Sequence, residues 1–597
     1  MKDITLFEVS YEVSNKVGGI YTVLVSKASY ALERIKDYYT VGPYYEDKAK
    51  AEFRPENVPA PLKRVFSKLH SKHGIECHYG RWLIDKSPRA ILVDPASIKR
   101  KVDDIKYELW EHYKIDSLHS DEWFNEPVAW SWAVGILIRE LVGSGAFKNK
   151  VVAHFHEWLS CAGLLYLKRK KAGVATVFTT HSTVLGRTIA ETGKEDLYEI
   201  IDKGLHQGAV VDDKKAYHYK VQAKHMMEKA GAVNADVFTT VSEIMARECR
   251  FMLGRQPEVL TMNGLDMNKF PRADVLRKMH ESCRERIKNF LLGYFLPYYD
   301  VEADGSLVCF ISGRYELRNK GIDVFIDALG RLNERLRDSG SGRNVFAFIW
   351  VPAGTDGKKP TVVEHLQLFE DVGKAIEDET GRIEKEVLKS FIRGEEPRKS
   401  DVFDSSFLQR LREMGARLKK RSGENPPITP FEMHENSITH ALAKNGLLNG
   451  EGDMVKVIYY PAYLSEKDEL LELKYYNAMA GCDVGVFPSY YESWGYTPLE
   501  AAALGLLSVT TDLSGFGKFI RSKIGKGPAS IVVLERDKRR YDDVVSQLGD
   551  VLFSICGMSE NDRLAGAARA KELSAAADWS FMYENYLLAY DKATGRH

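Results

Sequence analysis

Arg314 and Lys320 stand at the two ends of a short loop in "GRYELRNKG" (313–321), between an apolar run ending at Ser312 and a helical segment opening at Gly321. Two cations beside a helix N-terminus suit a diphosphate, because point charges and the helix dipole act on the same anion. A solvated basic loop is the bland alternative. A second stretch, "YYESWGYTPLE" (490–500), puts Glu492 ahead of Glu500 with Trp494, Gly495, Tyr496 and Thr497 between them. Thr497, Pro498 and Glu500 read as a capping box, with Thr497 at the N-cap and Pro498 at the first helical position. That motif accounts for Thr497 and Glu500 but not for Glu492, nor for the large Trp494 and Tyr496 beside Gly495. The amides of Gly495, Tyr496 and Thr497 are expected to face the same cleft as Arg314 and Lys320, since a firm helix N-terminus is also an anion site.

Further clusters follow predicted strands. In "NKVGGIYTVL" (15–24), Gly18 and Gly19 lead from the opening strand into a helical pattern. Glycines there let the backbone pass close to a ligand, the helix end offers free N–H groups, and Lys16 adds a charge. A plain tight turn explains the glycines as well. In "TTHSTVLGR" (179–187), His181 follows an apolar strand and Arg187 stands at the start of a helix, so His181 fits either a structural or a functional role. The neighbouring "HFHEWLS" (154–160) tempts a metal reading, but the spacing of His154 and His156 is read as sending the rings to opposite faces of a strand, which disfavours one.

Positioning these residues requires a particular architecture. Apolar runs rich in Val, Ile and Phe occur at 4–9, 39–42, 91–94, 151–155, 175–180, 236–241 and 259–262, and a second series at 307–312, 345–351, 455–460, 484–488, 506–511 and 530–535. Near-continuous apolar strands alternating with helices predict doubly buried parallel sheets. The fold class is therefore α/β, with two Rossmann-like domains facing across a cleft onto which the strand C-termini open. The helical stretch at 275–305 marks the junction, giving segments 1–285 and 286–570. Residues 361–421 break the alternation: a charged helical pair, read as a coiled-coil-like insert that is either a solvated decoration or a self-association surface.

Composition removes several classes. Of 597 residues, 44% are hydrophobic and 28% charged, and Lys plus Arg equals Asp plus Glu at 84 each, so nothing in the overall charge favours nucleic acid or an anionic membrane. The 7 scattered cysteines suit a reducing compartment and neither a disulfide framework nor a zinc cluster. With no apolar signal core and no run long enough to span a bilayer, a soluble cytoplasmic protein is expected.

Taken in order, "NKVGGIYTVL", "YGRWLI", "VVAHFHEWL", "FTTHSTVLGR", "VFTTVS", "NGLD", "GRYELRNKG", "VFPSYYESWGYTPLE" and "SGFGKFI" resemble the eukaryotic-type glycogen synthases, glycosyltransferase family 3, over nearly the whole chain. The resemblance implies a GT-B fold and retaining transfer of glucose from UDP-glucose to the nonreducing-end 4-hydroxyl of an α-1,4-glucan such as glycogen. It also implies a C-terminal helix (within 571–597) that crosses back to the first domain. Carried over by motif, Arg314 and Lys320 would hold the diphosphate with the amides of Gly495, Tyr496 and Thr497. Lys16, Gly18 and Gly19 would approach from the other domain. Glu500 would bind the ribose and Tyr475 stack on uracil, while His181, Arg187 and Asn263 would line the glucose and Glu492 stand beside it. Cations and amides that stabilise the leaving group make a metal or other cofactor unnecessary. Front-face attack, with Glu492 orienting hydroxyls or stabilising charge, is favoured over double displacement, and a trapped glucosyl ester on Glu492 would overturn that choice. The family's insert implies a homo-oligomer, a tetramer for preference. The family's arginine run is reduced here to Arg563 and Arg569, so activation by glucose-6-phosphate is not expected. Another retaining GT-B transferase with a small acceptor, or a non-catalytic glucan binder, are the alternatives; the choice between UDP- and ADP-glucose stays open.

Overall fold

The structure, a computed structural model, describes residues 4–340, 342–418 and 423–595. Of the expected segments, residues 1–3, 341, 419–422 and 596–597 lie outside them.

The first sheet contains β1 (Ile4–Val9), β2 (Asp37–Pro43), β3 (Phe53–Pro55), β4 (Cys77–Trp82), β5 (Arg89–Val93), β6 (Lys150–His156), β7 (Ala175–Thr180), β8 (Val237–Thr240) and β9 (Val259–Leu260). Their order is β3-β4-β5-β2-β1-β6-β7-β8-β9. From β5 to β9 the ladders are parallel, with Thr5 opposite both Asp37 and Val151. At the β3 end the β3–β4 and β4–β5 ladders are antiparallel, a feature the apolar-run reading did not anticipate.

The second sheet is built from β10 (Leu307–Ser312), β11 (Val345–Trp350), β14 (Val455–Tyr459), β15 (Val484–Val486), β16 (Leu507–Thr511) and β17 (Ile531–Leu534), with a small ribbon of β12 (Gly357–Lys358) and β13 (Phe431–Glu432) beside it. The order β14-β11-β10-β15-β16-β17 is parallel throughout. Alternation along β10 and β11 explains why these strands are apolar at every position. Leu307, Cys309, Ile311, Val345, Ala347 and Ile349 enter one core, while Val308, Phe310, Phe346, Phe348 and Trp350 enter the other.

In both sheets the strand order reverses at one strand: β1 lies between β2 and β6, and β10 between β11 and β15. The crevice beyond the carboxyl ends of such strands is where open α/β sheets take their ligands. The segment after Val9 and the segment after Ser312 are therefore the two places to look.

The helix Ala273–Phe295 connects the last strand of the first sheet to the first of the second. The 33-residue helix Pro360–Ile392 packs against the helices Ala273–Phe295 and Ser405–Leu418. The C-terminal helix Trp579–Thr594 lies on the first sheet. Its anchor is Trp579, fully buried against Gly264, with Nε1 donating to Ser26 Oγ at 2.9 Å. Burying a side chain of this kind contributes roughly 1.5–3 kcal/mol. Among the described residues no helix is long and apolar enough to cross a membrane.

Candidate functional site

The loop after β10 begins where Gly313 N–H still bonds to Trp350 O (3.3 Å), and Lys320 passes so close that a Cβ at Gly313 would lie 3.3 Å from Lys320 Cγ. Gly321 then caps the helix Ile322–Ser339 at φ +70°, where a Cβ would meet Pro488 O at 2.0 Å. Only glycine fits that position. This tight junction brings Lys320 beside the loop after β15, where it pairs with Glu492; their side chains are 17% and 18% exposed. Arg314, 58% exposed, pairs with Glu316 at 3.2 Å, and Glu316 also receives Arg187 from beyond β7. Burial raises the Glu316 carboxyl, but Arg314 and Arg187 outweigh it and hold it below its ordinary value. Arg187, Arg314 and Lys320 are thus gathered at one place, with Glu316 and Glu492 neutralising part of their charge.

The helix after Glu492 starts earlier than its capping-box pattern predicts. It spans Tyr496–Ala503, and its N-cap is Gly495 at φ +110°, not Thr497. A Cβ at Gly495 would lie 3.0 Å from Ser514 Oγ, so the turn needs glycine. Glu500 does not reach back to cap the helix either. It is buried and accepts a hydrogen bond from Tyr476 Oη at 2.7 Å, and burial pushes its carboxyl up to about 7. Tyr475 bonds Ser312 Oγ through its own hydroxyl (2.8 Å), at the end of β10. The Trp494 ring lies in the core, packed on Phe516 and Phe519, so this residue meets the cleft only through its backbone. Tyr496 and Thr497 are partly exposed.

On the other side of the cleft, Gly18 precedes the helix Gly19–Arg34, but its amide is not free as expected. Glu12 Oε2 accepts from both Gly18 N and Tyr21 N at 2.8 Å. Burial raises the Glu12 carboxyl, and the backbone N–H groups and Arg314 partly offset that, which places this turn within the field of Arg314. Gly19 and Lys16 are exposed, with Lys16 Nζ 5.8 Å from the Tyr21 ring. Asn263, 4% exposed, follows β9 with its side-chain oxygen unpartnered among the described residues.

His181 directly follows β7 and is 7% exposed. Its turn is held by buried acids that the sequence reading missed. Glu157 accepts His181 N (2.8 Å) and Ser182 N (3.2 Å), Glu248 accepts Thr183 N (3.3 Å), and Glu228 accepts Val184 N (2.9 Å). Glu157 takes up a left-handed φ of +64°, a conformation L-residues occupy only when other bonds hold it there. Burial raises Glu157 and Glu248 to about 7 and holds Glu228 well above its ordinary value. Glu248 also accepts Tyr491 Oη at 2.7 Å, while Leu197 N donates to Tyr490 Oη at 3.1 Å, so residues adjoining Glu492 are tied across the cleft.

His154 and His156 do not face opposite ways. A two-residue period returns residue i+2 to the face of residue i, and the ring centroids lie 4.2 Å apart. With Glu8 they form a fully buried group of ligating atoms. A metal does not fit it: Lys27 Nζ already pairs with Glu8 Oε1, and both nitrogens of each histidine have hydrogen-bond partners.

With this geometry in place the comparisons are decisive. The family model described as Glycogen synthase matches residues 8–597. The chain belongs to the glycogen synthase family. Its relatives include the liver glycogen [starch] synthases of Rattus norvegicus, 35% identical over 98% of this chain and 82% of the relative, and of Homo sapiens, 36% identical over 98% and 83%. The Caenorhabditis elegans glycogen [starch] synthase is 34% identical over 96% and 85%. Among solved structures, the catalytic domain of starch synthase IV from Arabidopsis thaliana, bound to ADP and acarbose, aligns over 100% of both chains with a TM-score of 0.52 at 12% identity. That likeness speaks for the fold alone, and the fold is GT-B. As a member of this glycosyltransferase family, the chain has its sequence motifs on both sides of the cleft described above.

Proposed function

We propose that the protein transfers glucose, with retention, from UDP-glucose to the nonreducing-end 4-hydroxyl of an α-1,4-glucan, glycogen being the natural acceptor. The observation that carries this reading is the Lys320–Glu492 pair at the carboxyl end of the second sheet, in a chain that belongs to the glycogen synthase family. Departure of UDP from C1 builds negative charge on the diphosphate and positive charge on the sugar ring. Lys320 and Arg314 stabilise the first, helped by the helix amides at Tyr496 and Thr497, and Glu492 lies close enough to Lys320 to stabilise the second. Positive side chains and amides supply the electrophilic assistance, so no metal is needed. Front-face attack is the preferred course, since Glu492 is already engaged by a cation rather than poised as a free nucleophile.

The test is incorporation of radiolabelled glucose into glycogen by the purified protein in chelator-treated buffer, with UDP-glucose and ADP-glucose in parallel. Transfer from UDP-glucose is expected; none from either donor would reject the reading. Glucose-6-phosphate is expected to change kcat/KM less than about twofold: the helix Glu560–Ser574 carries Arg563 and Arg569, and Arg569 is paired with Glu572 at 2.7 Å.

Glu500 supplies a pH signature. In the ionised form it accepts hydrogen bonds from the ribose hydroxyls, and its carboxyl is raised to about 7. UDP affinity, measured by calorimetry, is expected to strengthen about tenfold from pH 6 to pH 8, and Glu500→Gln to flatten that dependence.

Assembly occurs through the far end of the helix Pro360–Ile392. Leu388, Phe391 and Ile392 are 61%, 66% and 80% exposed there, at spacings that share one helix face. Light scattering is expected to give an oligomer for the native chain and a monomer for Phe391→Glu combined with Ile392→Glu.

A further inference from the structure

A line of buried hydrogen bonds runs from the first strand to His181. Glu8 on β1 is fully buried and receives Lys27 from the helix Gly19–Arg34 and the hydroxyl of Tyr38 from β2. His156 Nε2 lies 2.9 Å from Glu8 Oε1, and His156 Nδ1 lies 3.1 Å from His181 Nε2. His154 Nδ1 lies 3.8 Å from Glu8 Oε1, but its hydrogen bonds go to Tyr590 Oη at 3.0 Å and Thr179 Oγ1 at 2.6 Å.

The proton positions follow from what each group can do. An ionised carboxylate only accepts, so the hydrogen between Glu8 and His156 belongs to His156 Nε2. Lys27 already supplies one positive charge against Glu8, and a second buried cation on His156 would have no counter-charge. Burial also pushes the imidazoles of His156 and His181 below their ordinary values. His156 is therefore neutral and its Nδ1 is a bare acceptor. His181 must donate to it through Nε2–H, which leaves the lone pair on His181 Nδ1, and nothing among the described residues donates to that nitrogen.

We propose that Glu8 and His156 are positioning residues that hold His181 in its Nε2–H tautomer, so that His181 Nδ1 accepts a hydrogen bond from a hydroxyl of the donor sugar. The tautomer stands on the hydrogen-bond geometry and charge balance of the buried line; the sugar contact rests on the function proposed above. The arrangement suits the chemistry, because a neutral acceptor does not oppose the positive charge that develops on the ring, whereas an imidazolium would.

Two measurements test this separately. Nitrogen-15 NMR of the ligand-free protein with labelled histidines, assigned with His181→Gln, is expected to find His181 protonated at Nε2 only. A proton on Nδ1, or on both nitrogens, overturns the tautomer whatever the enzyme does. The second measurement uses UDP-glucose and its monodeoxyfluoro analogues, whose fluorine cannot donate to a bare His181 Nδ1 but does not need to donate to an Nδ1–H. One analogue is expected to lose about tenfold in kcat/KM with the native enzyme. In Glu8→Gln combined with Lys27→Met, where the glutamine amide can donate to His156 and reverse the line of donors, that loss should shrink below about threefold. A purely structural role would lower activity with every donor by one factor and leave the tenfold difference intact, overturning the sugar contact. His156→Leu, which removes the link with an apolar side chain, is expected to give the same contraction and serves if the double variant does not fold. Absence of any turnover with UDP-glucose by the native enzyme would reject the proposed function and with it the sugar contact, while the NMR result still decides the tautomer.

Discussion

Lys320→Ala is expected to lower kcat for glucosyl transfer by about 100- to 1,000-fold, the usual consequence of removing one electrostatic donor from a transition state. KM for UDP-glucose should move much less, because the charge on the diphosphate grows as the glycosidic bond breaks. The same substitution leaves Glu492 without its cation in a site where both side chains are more than four-fifths buried. The carboxylate would then add negative charge beside the departing phosphate, which strengthens the predicted loss. Lys320→Arg should recover little, since a planar guanidinium does not reproduce the compact ammonium that pairs with Glu492. Steady-state kinetics with a melting curve for each variant check this; a fall of less than about fivefold with an intact fold would show that Lys320 is not the leaving-group cation.

Glu248→Gln is expected to stabilise the protein at alkaline pH. The Glu248 carboxyl is raised by burial from 4.5 to about 7, above its value in the unfolded chain. A raised carboxyl contributes favourably while both states are protonated, below about pH 4.5, and that contribution is lost as pH rises through about 7. At pH 8 the native chain therefore bears the cost of an ionised buried acid, about 3 kcal/mol, that a glutamine does not. One carboxylate oxygen accepts from Thr183 and Tyr491, bonds an amide oxygen can keep, and the other has no partner among the described residues. The melting temperature of the variant should exceed that of the native protein by roughly 5 °C at pH 8 and match it near pH 5. Equal shifts at both pH values would mean that Glu248 does not titrate as its burial dictates.

The central parallel strands were legible because burial on both faces writes an apolar residue at nearly every position, and β10 spans the expected 307–312. The antiparallel margin was not: β4, one strand in from the edge, reads "CHYGRW" and is only half apolar. At the site, the cations and Glu492 could be found because glycines and strand ends bracket them in short motifs. The start of the helix after Glu492 was misjudged because a capping box is a purely local pattern, whereas the decisive contact, Gly495 against Ser514, comes from a later segment. Glu316 escaped notice because the arginine that explains it lies 129 residues away. Glu157, Glu228 and Glu248 escaped for the same reason: each binds the His181 turn from a different helix. Trp494 misled by its size, since a large aromatic in a loop can belong to the core beneath it.

A crystal structure of the protein with UDP tests the central claim most directly. The account predicts the diphosphate between Arg314 and Lys320, against the N-terminus of the helix Tyr496–Ala503, with Glu500 on the ribose. A diphosphate bound away from these residues, or Arg314 and Lys320 turned out of the cleft when UDP is present, would contradict it.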